Sequence, residues 1–250
     1  MKIAFCGKGG VGKSLIAVLL SLAFLEDNYQ VLAIDADPSP HLARLFGIEK
    51  EVVPIAEMKD LLTERAQKNG PFYTLNPEIE DLPEKFLIQK GNLKLMVLGA
   101  IREAGKGCAC PEQTVLRRLL TYLILKANEV VIVDMEAGVE HFGRASIVPM
   151  NTILTITMSY KGSISTTKRI LNFAEQLKMK NVWIVGNAIK NEREIEIIKK
   201  EFNQKLLGIL PYDEELERIE IEGESLWSYK GVVYQEIKKL KDKLLKNLNS

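Results

Sequence analysis

The chain has 250 residues, 46% of them hydrophobic and 27% charged, the balance of a globular protein rather than a disordered or fibrous one. A formal net charge of +1 does not indicate the strongly basic surface of a nucleic-acid binder, and no apolar run reaches the roughly 20 residues of a membrane-spanning helix. Three cysteines, an odd number, argue against a secreted disulfide framework. Glycines also interrupt the first apolar run at once, so it does not read as a leader, and the expected location is the cytoplasm.

Residues 3–6 are predicted to form a buried strand and residues 15–26 a helix that is apolar nearly all round. Between them Gly7-Lys8-Gly9-Gly10-Val11-Gly12-Lys13-Ser14 fits G-x-x-x-x-G-K-[ST], the phosphate-cradling loop, in the strand–loop–helix context that the motif requires. Glycines let the backbone turn several N–H groups into one concavity, and the helix N-terminus adds partial positive charge. Gly9, Gly10, Val11, Gly12 and Leu15 are therefore expected around a nucleotide's phosphates, with Lys13 on the β- and γ-phosphates and the Ser14 hydroxyl on Mg²⁺. A second lysine inside the loop, Lys8, must meet solvent or a phosphate.

Residues 30–35 read as a second buried strand, after which Pro38 and Pro40 break the chain before the apolar segment 42–46. A helix is predicted over 55–69, ended by Gly70-Pro71, and residues 72–90 read as a surface excursion. Then come a strand at 93–98, a loop at 105–111, a helix at 112–127 and a strand at 129–134. Three further strand–helix units pair 152–157 with 164–177, 182–185 with 192–202, and 206–210 with 214–219. This alternation predicts an α/β fold, a single doubly wound, mostly parallel sheet with helices on both faces, forming one domain over residues 1–250.

Ligands of such sheets collect at the carboxyl ends of the strands. Asp35, Asp37 and Asp134 stand there. Asp134 follows four apolar residues and fits the position that holds Mg²⁺ directly or through water. Asp35 reads equally as a cap or turn residue. Asn187 and the turn Pro211-Tyr212-Asp213 follow later strands on the same edge.

Cys108 and Cys110, one residue apart in a glycine-flanked loop before Pro111, are free to aim both sulfurs at one ion. Lys106 and the helix beginning near Glu112 favour their thiolates. Two thiolates leave a tetrahedral ion half coordinated, and a two-fold axis can supply the other two. Cys6 reads as inert core, and His41 and His141 as structural, His141 within a switch.

The string K-G-G-V-G-K-S resembles the deviant P-loop ATPases, the group of MinD, ParA and the nitrogenase iron protein. That resemblance implies ATP hydrolysis in a homodimer, with Lys8 reaching the partner's nucleotide. Asp35-Ala36-Asp37-Pro38 resembles the group's first switch, which implies that Asp37 positions the attacking water and helps to hold Mg²⁺. Asn187 and Pro211-Tyr212-Asp213 resemble its adenine contacts. With Cys108-x-Cys110 and the run Asp134-x-Glu136-Ala137-Gly138-x-Glu140-His141-x-Gly143-Arg144, the chain resembles the CooC proteins. These are ATPases that assist nickel insertion into carbon monoxide dehydrogenase. The resemblance implies a homodimer that binds Ni²⁺ or Zn²⁺ through four cysteines and serves carbon monoxide dehydrogenase as its client.

Two alternatives compete. The stripe Val233, Ile237, Leu240, Leu244 and Leu248, with lysines 238, 239, 241 and 243 nearby, could anchor a MinD-like positioning protein to a membrane, although a terminal helix packed on the core is the preferred reading. An iron–sulfur-binding ATPase would place its cysteines differently: far apart in the nitrogenase iron protein, or as C-x-x-C nearer the C-terminus in cluster carriers.

Overall fold

A computed structural model describes residues 1–66, 76–100, 111–135 and 150–248. Strand β1, Lys2–Gly7, leads into helix α1, Lys13–Glu26, and then into β2, Val31–Ala36. A four-residue helix α2, Leu42–Leu45, follows, then α3, Lys59–Ala66. Next come α4, Leu82–Phe86, and the strands β3, Ile88–Lys90, and β4, Leu93–Val97. The second half runs α5, Pro111–Lys126; β5, Val130–Met135; β6, Thr152–Thr157; α6, Lys161–Gln176; β7, Val182–Ile189; α7, Glu192–Phe202; β8, Leu206–Pro211; α8, Glu214–Glu222; and α9, Val232–Leu248.

The eight strands form one sheet in the order β3-β4-β2-β5-β1-β6-β7-β8. All neighbours are parallel except β3, which returns antiparallel to β4. Strands β2, β5 and β6 are buried at every position, because helices cover both faces of a parallel sheet. On β1 the alternation sorts the two cores: Ile3 and Phe5 pack with α1 and α9, while Ala4 and Cys6 pack with α3, α5 and α6. Helix α1 is apolar nearly all round because it lies between the sheet and α9, which also covers β8.

The expected doubly wound sheet is therefore present. Two local expectations are corrected. The stretch 55–69 is not one helix: a 3-10 turn, Ile55–Glu57, precedes α3, and Met58 between them leaves helical geometry at ψ 68°. The far end proposed at Gly70-Pro71 lies outside the described residues. The supposed surface excursion carries α4, with Pro83 in its first turn, and the edge strand β3. Elsewhere the expected bounds hold to within a few residues; β7 runs on to Ile189, so Asn187 lies within the strand rather than after it.

The terminal apolar stripe packs inward, with Val233, Ile237, Leu240 and Leu244 all 2% exposed or less. Among the described residues no helix is long and apolar enough to cross a membrane.

Candidate functional site

The loop between β1 and α1 takes its shape from glycine. Gly12, the N-cap of α1, has φ +88°, and a Cβ there would stand 2.5 Å from Asn187 Nδ2. Gly7 has φ +141°, and a Cβ there would stand 2.4 Å from the Ile156 carbonyl oxygen on β6. The loop is thus pressed against the neighbouring strands, and only glycine permits that approach. Asn187 closes the contact by donating its Nδ2 to the Val11 carbonyl oxygen at 2.8 Å.

Strand order then brings the acidic residues beside the loop. Asp134 pairs in register with Phe5 on one side and with Asp35 on the other. Its side chain is wholly buried, and neither carboxylate oxygen has a hydrogen-bond partner among the described residues. Burial pushes its carboxyl up to about 7; the Ser14 hydroxyl and the Lys13 ammonium oppose that rise, while Asp35 and Asp37 add to it. Lys13 is itself buried. An orphaned carboxylate beside a hydroxyl and an ammonium fits a magnesium-bound triphosphate: the cation would satisfy the oxygens of Asp134 and Ser14, and the phosphates would satisfy Lys13.

Asp35 resolves toward its capping alternative. One oxygen accepts from the backbone N–H of His41 and of Leu42, both at 2.9 Å, at the start of α2, and the other accepts from Asp37 N–H at 3.3 Å. Burial raises its carboxyl to about 6 despite these donors. Asp37, partly exposed, accepts from Ser39 N–H at 2.9 Å and faces a cavity of about 800 Å³.

That cavity brings together most of the sequence-predicted contacts: Gly9 to Leu15, Asp37, Asn187 and Pro211 to Asp213 all line it. Asp134 and Lys8 are not part of its wall. Lys8 is exposed, and its Nζ lies 5.4 Å from the centre of the Tyr160 ring, ahead of α6. Asp213 is already engaged by the fold, accepting from Leu216 N–H at 3.0 Å as the cap of α8 and from the Tyr229 hydroxyl at 2.8 Å. Tyr212 lies under Lys190, 4.2 Å from ring centre to Nζ, and donates its hydroxyl to Glu217.

Sequence reasoning did not place His41, Leu45, Lys190, Leu216 or Glu217 on this wall. They reach it from α2, α8 and the turn after β7, and no contiguous motif marks them. Cys108, Cys110, His141 and the run from Glu136 to Arg144 lie outside the described residues. Among the described residues no cluster of three or more His, Cys, Asp or Glu is disposed to hold a metal ion.

The nucleotide-binding domain of CobQ, CobB, MinD and ParA proteins matches residues 3–226. An uncharacterized ATP-binding protein of Methanocaldococcus jannaschii is 41% identical over the full length of both chains. The carbon monoxide dehydrogenase accessory protein CooC of Rhodospirillum rubrum is 35% identical over 91% of this chain and 89% of its own. Among solved structures, MinD of Aquifex aeolicus superposes with a TM-score of 0.71 at 22% identity, covering 98% of this chain and 97% of its own. MinD of Pyrococcus horikoshii, solved with Mg-ADP, gives 0.69 at 19% identity, covering 100% of this chain and 98% of its own. At these identities the two structures speak for the fold alone.

Proposed function

The chain belongs to the CobQ/CobB/MinD/ParA family and is an ATPase, and from that premise we propose that it works as a CooC-type metallochaperone, a homodimer that carries Ni²⁺ or Zn²⁺ and assists nickel insertion into carbon monoxide dehydrogenase. In this reading one cytoplasmic ATPase domain spans residues 1–250. The observation that carries the nucleotide chemistry is the buried carboxylate of Asp134, without a hydrogen-bond partner among the described residues, beside Lys13 and Ser14. The metal half is supported by the CooC relative and by the spacing of Cys108 and Cys110.

The backbone of Gly9 to Leu15 and the Lys13 ammonium hold the phosphates, and Asn187 with Pro211, Tyr212 and Asp213 borders the base. Ser14 and Asp134, with Asp37, hold Mg²⁺, which when bound neutralises charge developing on the transferred phosphoryl group. Asp37 orients the attacking water; transfer to water needs placement more than a strong base. Lys8 reaches the partner's nucleotide, so that ATP tightens the dimer. Cys108 and Cys110 of each chain would together supply the four thiolates that hold the ion. Hydrolysis then changes metal hold or client docking, provided that these affinities differ between the two nucleotide states.

Ni²⁺ and Zn²⁺ titrations with and without ATP, recorded together with solution mass, test this. The expected result is one ion per two chains, with binding lost in Cys108→Ala/Cys110→Ala. A wild-type chain that stays monomeric and metal-free under every condition overturns the reading.

A further inference from the structure

The loop that carries Asp37 is held from below by a residue that takes no part in lining the cavity. Asp35 is wholly buried at the end of β2, one strand from Asp134. Its side chain accepts three backbone N–H bonds: Asp37 at 3.3 Å on one oxygen, and His41 and Leu42 at 2.9 Å each on the other. The five residues between Asp35 and His41 are thus closed into a ring around a single carboxylate. Its main-chain carbonyl is pinned as well, accepting from Leu98 N–H at 2.8 Å and Gly99 N–H at 3.2 Å.

The far end of α2 is held by the opposite charge. Gly47, at φ +63°, ends the helix by donating to the Arg44 carbonyl at 2.8 Å, and Ile48 donates to the Ala43 carbonyl at 3.0 Å. Lys90 Nζ, from the antiparallel edge strand, then donates to the Phe46 carbonyl at 3.2 Å and the Gly47 carbonyl at 3.4 Å, with the Trp227 ring centre 4.1 Å away. Along the flank, Arg44 pairs with Glu220 of α8 at 2.8 Å. A four-residue helix has almost no stability of its own. This one is set by an anion at its N-terminal end and a cation at its C-terminal end, the arrangement that its dipole favours.

We propose that Asp35 is the positioning residue of the hydrolytic reaction: through the backbone of Asp37 and the start of α2 it fixes where the Asp37 carboxylate stands, and Lys90 braces the same helix from behind. The proposal rests on the reading that Asp37 orients water. An asparagine at 35 keeps the shape but turns an NH2 group toward N–H donors that need an acceptor. The loop then shifts while the phosphate loop, anchored on β1 and β6, stays. A displacement of about an ångström can cost a positioned reaction about a hundredfold.

The experiment is a double-mutant cycle of Asp35→Asn and Asp37→Asn, reading kcat, KM for ATP and melting temperature, with kcat normalised to titrated nucleotide sites. Asp35→Asn is expected to lower kcat by about tenfold to a hundredfold while KM moves less than about threefold. It is expected to add no further loss to Asp37→Asn. A merely structural role lowers the melting temperature and the number of sites and leaves normalised kcat unchanged; that outcome, or losses that multiply in the double variant, overturns the proposal. Near-normal turnover of Asp37→Asn overturns the Asp37 reading and takes this inference with it, whereas a slow Asp37→Asn beside a normal Asp35→Asn overturns the inference alone. Should Asp35→Asn not fold, Lys90→Met decides, with kcat down about threefold at unchanged KM; an unmoved kcat overturns the proposal.

Discussion

Asp134 and Asp35 face the same physical problem, charge without water, and solve it differently. Asp35 collects three N–H donors, whereas Asp134 collects none among the described residues. Both carboxyls are raised, to about 6 and about 7, against an ordinary aspartate value near 3.9. A carboxyl raised in the folded state binds its proton more tightly there than in the unfolded chain. Its contribution to stability is therefore whole below about pH 4 and lost as pH rises through 6 to 7. The nucleotide-free protein in EDTA is expected to melt at a lower temperature at pH 8 than at pH 5, with a shallower slope in Asp134→Asn. A melting temperature that climbs across that range and ignores the substitution contradicts this. Gly12→Ala is expected to abolish nucleotide binding in a calorimetric titration, because the new methyl would strike Asn187 and a left-handed φ would be imposed on alanine. At this scale the phosphate loop was legible because its residues are contiguous. Asp134 was legible as the acid that ends an apolar strand. Lys190, Glu217 and Leu45 were not, since only folding brings them to the cavity. Asn187 is legible as a residue at the carboxyl edge of the sheet, but its donation to Val11 depends on how close β7 runs to the loop.

At the scale of elements, periodicity carried the long helices and failed for the short pieces. The stripe on α9 was visible at helical spacing, and its burial against α1 and β8 settles which way it faces. Lys241 shows how firmly that helix is seated: it is buried, donates to the Ala23 carbonyl near the end of α1 at 3.2 Å, and pairs with Asp27. Leu240→Ala is expected to cost about 2–5 kcal/mol, seen as an earlier denaturant midpoint. Wild-type protein with ATP is expected to stay in the supernatant of sedimented anionic vesicles; pelleting with them would favour the membrane-positioning alternative. Strand β3 escaped notice because three residues, one half-buried and two exposed, carry no alternation to read. The 55–69 stretch looked continuous because its apolar spacing survives the break at Met58, a backbone event that composition does not announce.

At the scale of the whole molecule, strand–helix alternation specified the class of fold, but not the order of strands, which depends on pairings between distant segments. That order matters for the proposed assembly. Lys8 leaves the carboxyl end of β1 on the exposed surface and touches only Tyr160 among described aromatic rings. Lys8→Ala is expected to leave ATP affinity within about threefold, because Lys13 still grips the phosphates. It should also suppress the ATP-dependent rise in mass that the proposed dimer predicts, checked by light scattering. An unchanged rise would remove Lys8 from the interface.

Placing β1 between β5 and β6 has a consequence for biosynthesis. The phosphate loop leaves the ribosome well before either strand that flanks β1, the second of which ends at Thr157. A nascent chain halted short of that point holds the complete signature and has no floor beneath it, so it should ignore immobilised ATP until translation carries it further.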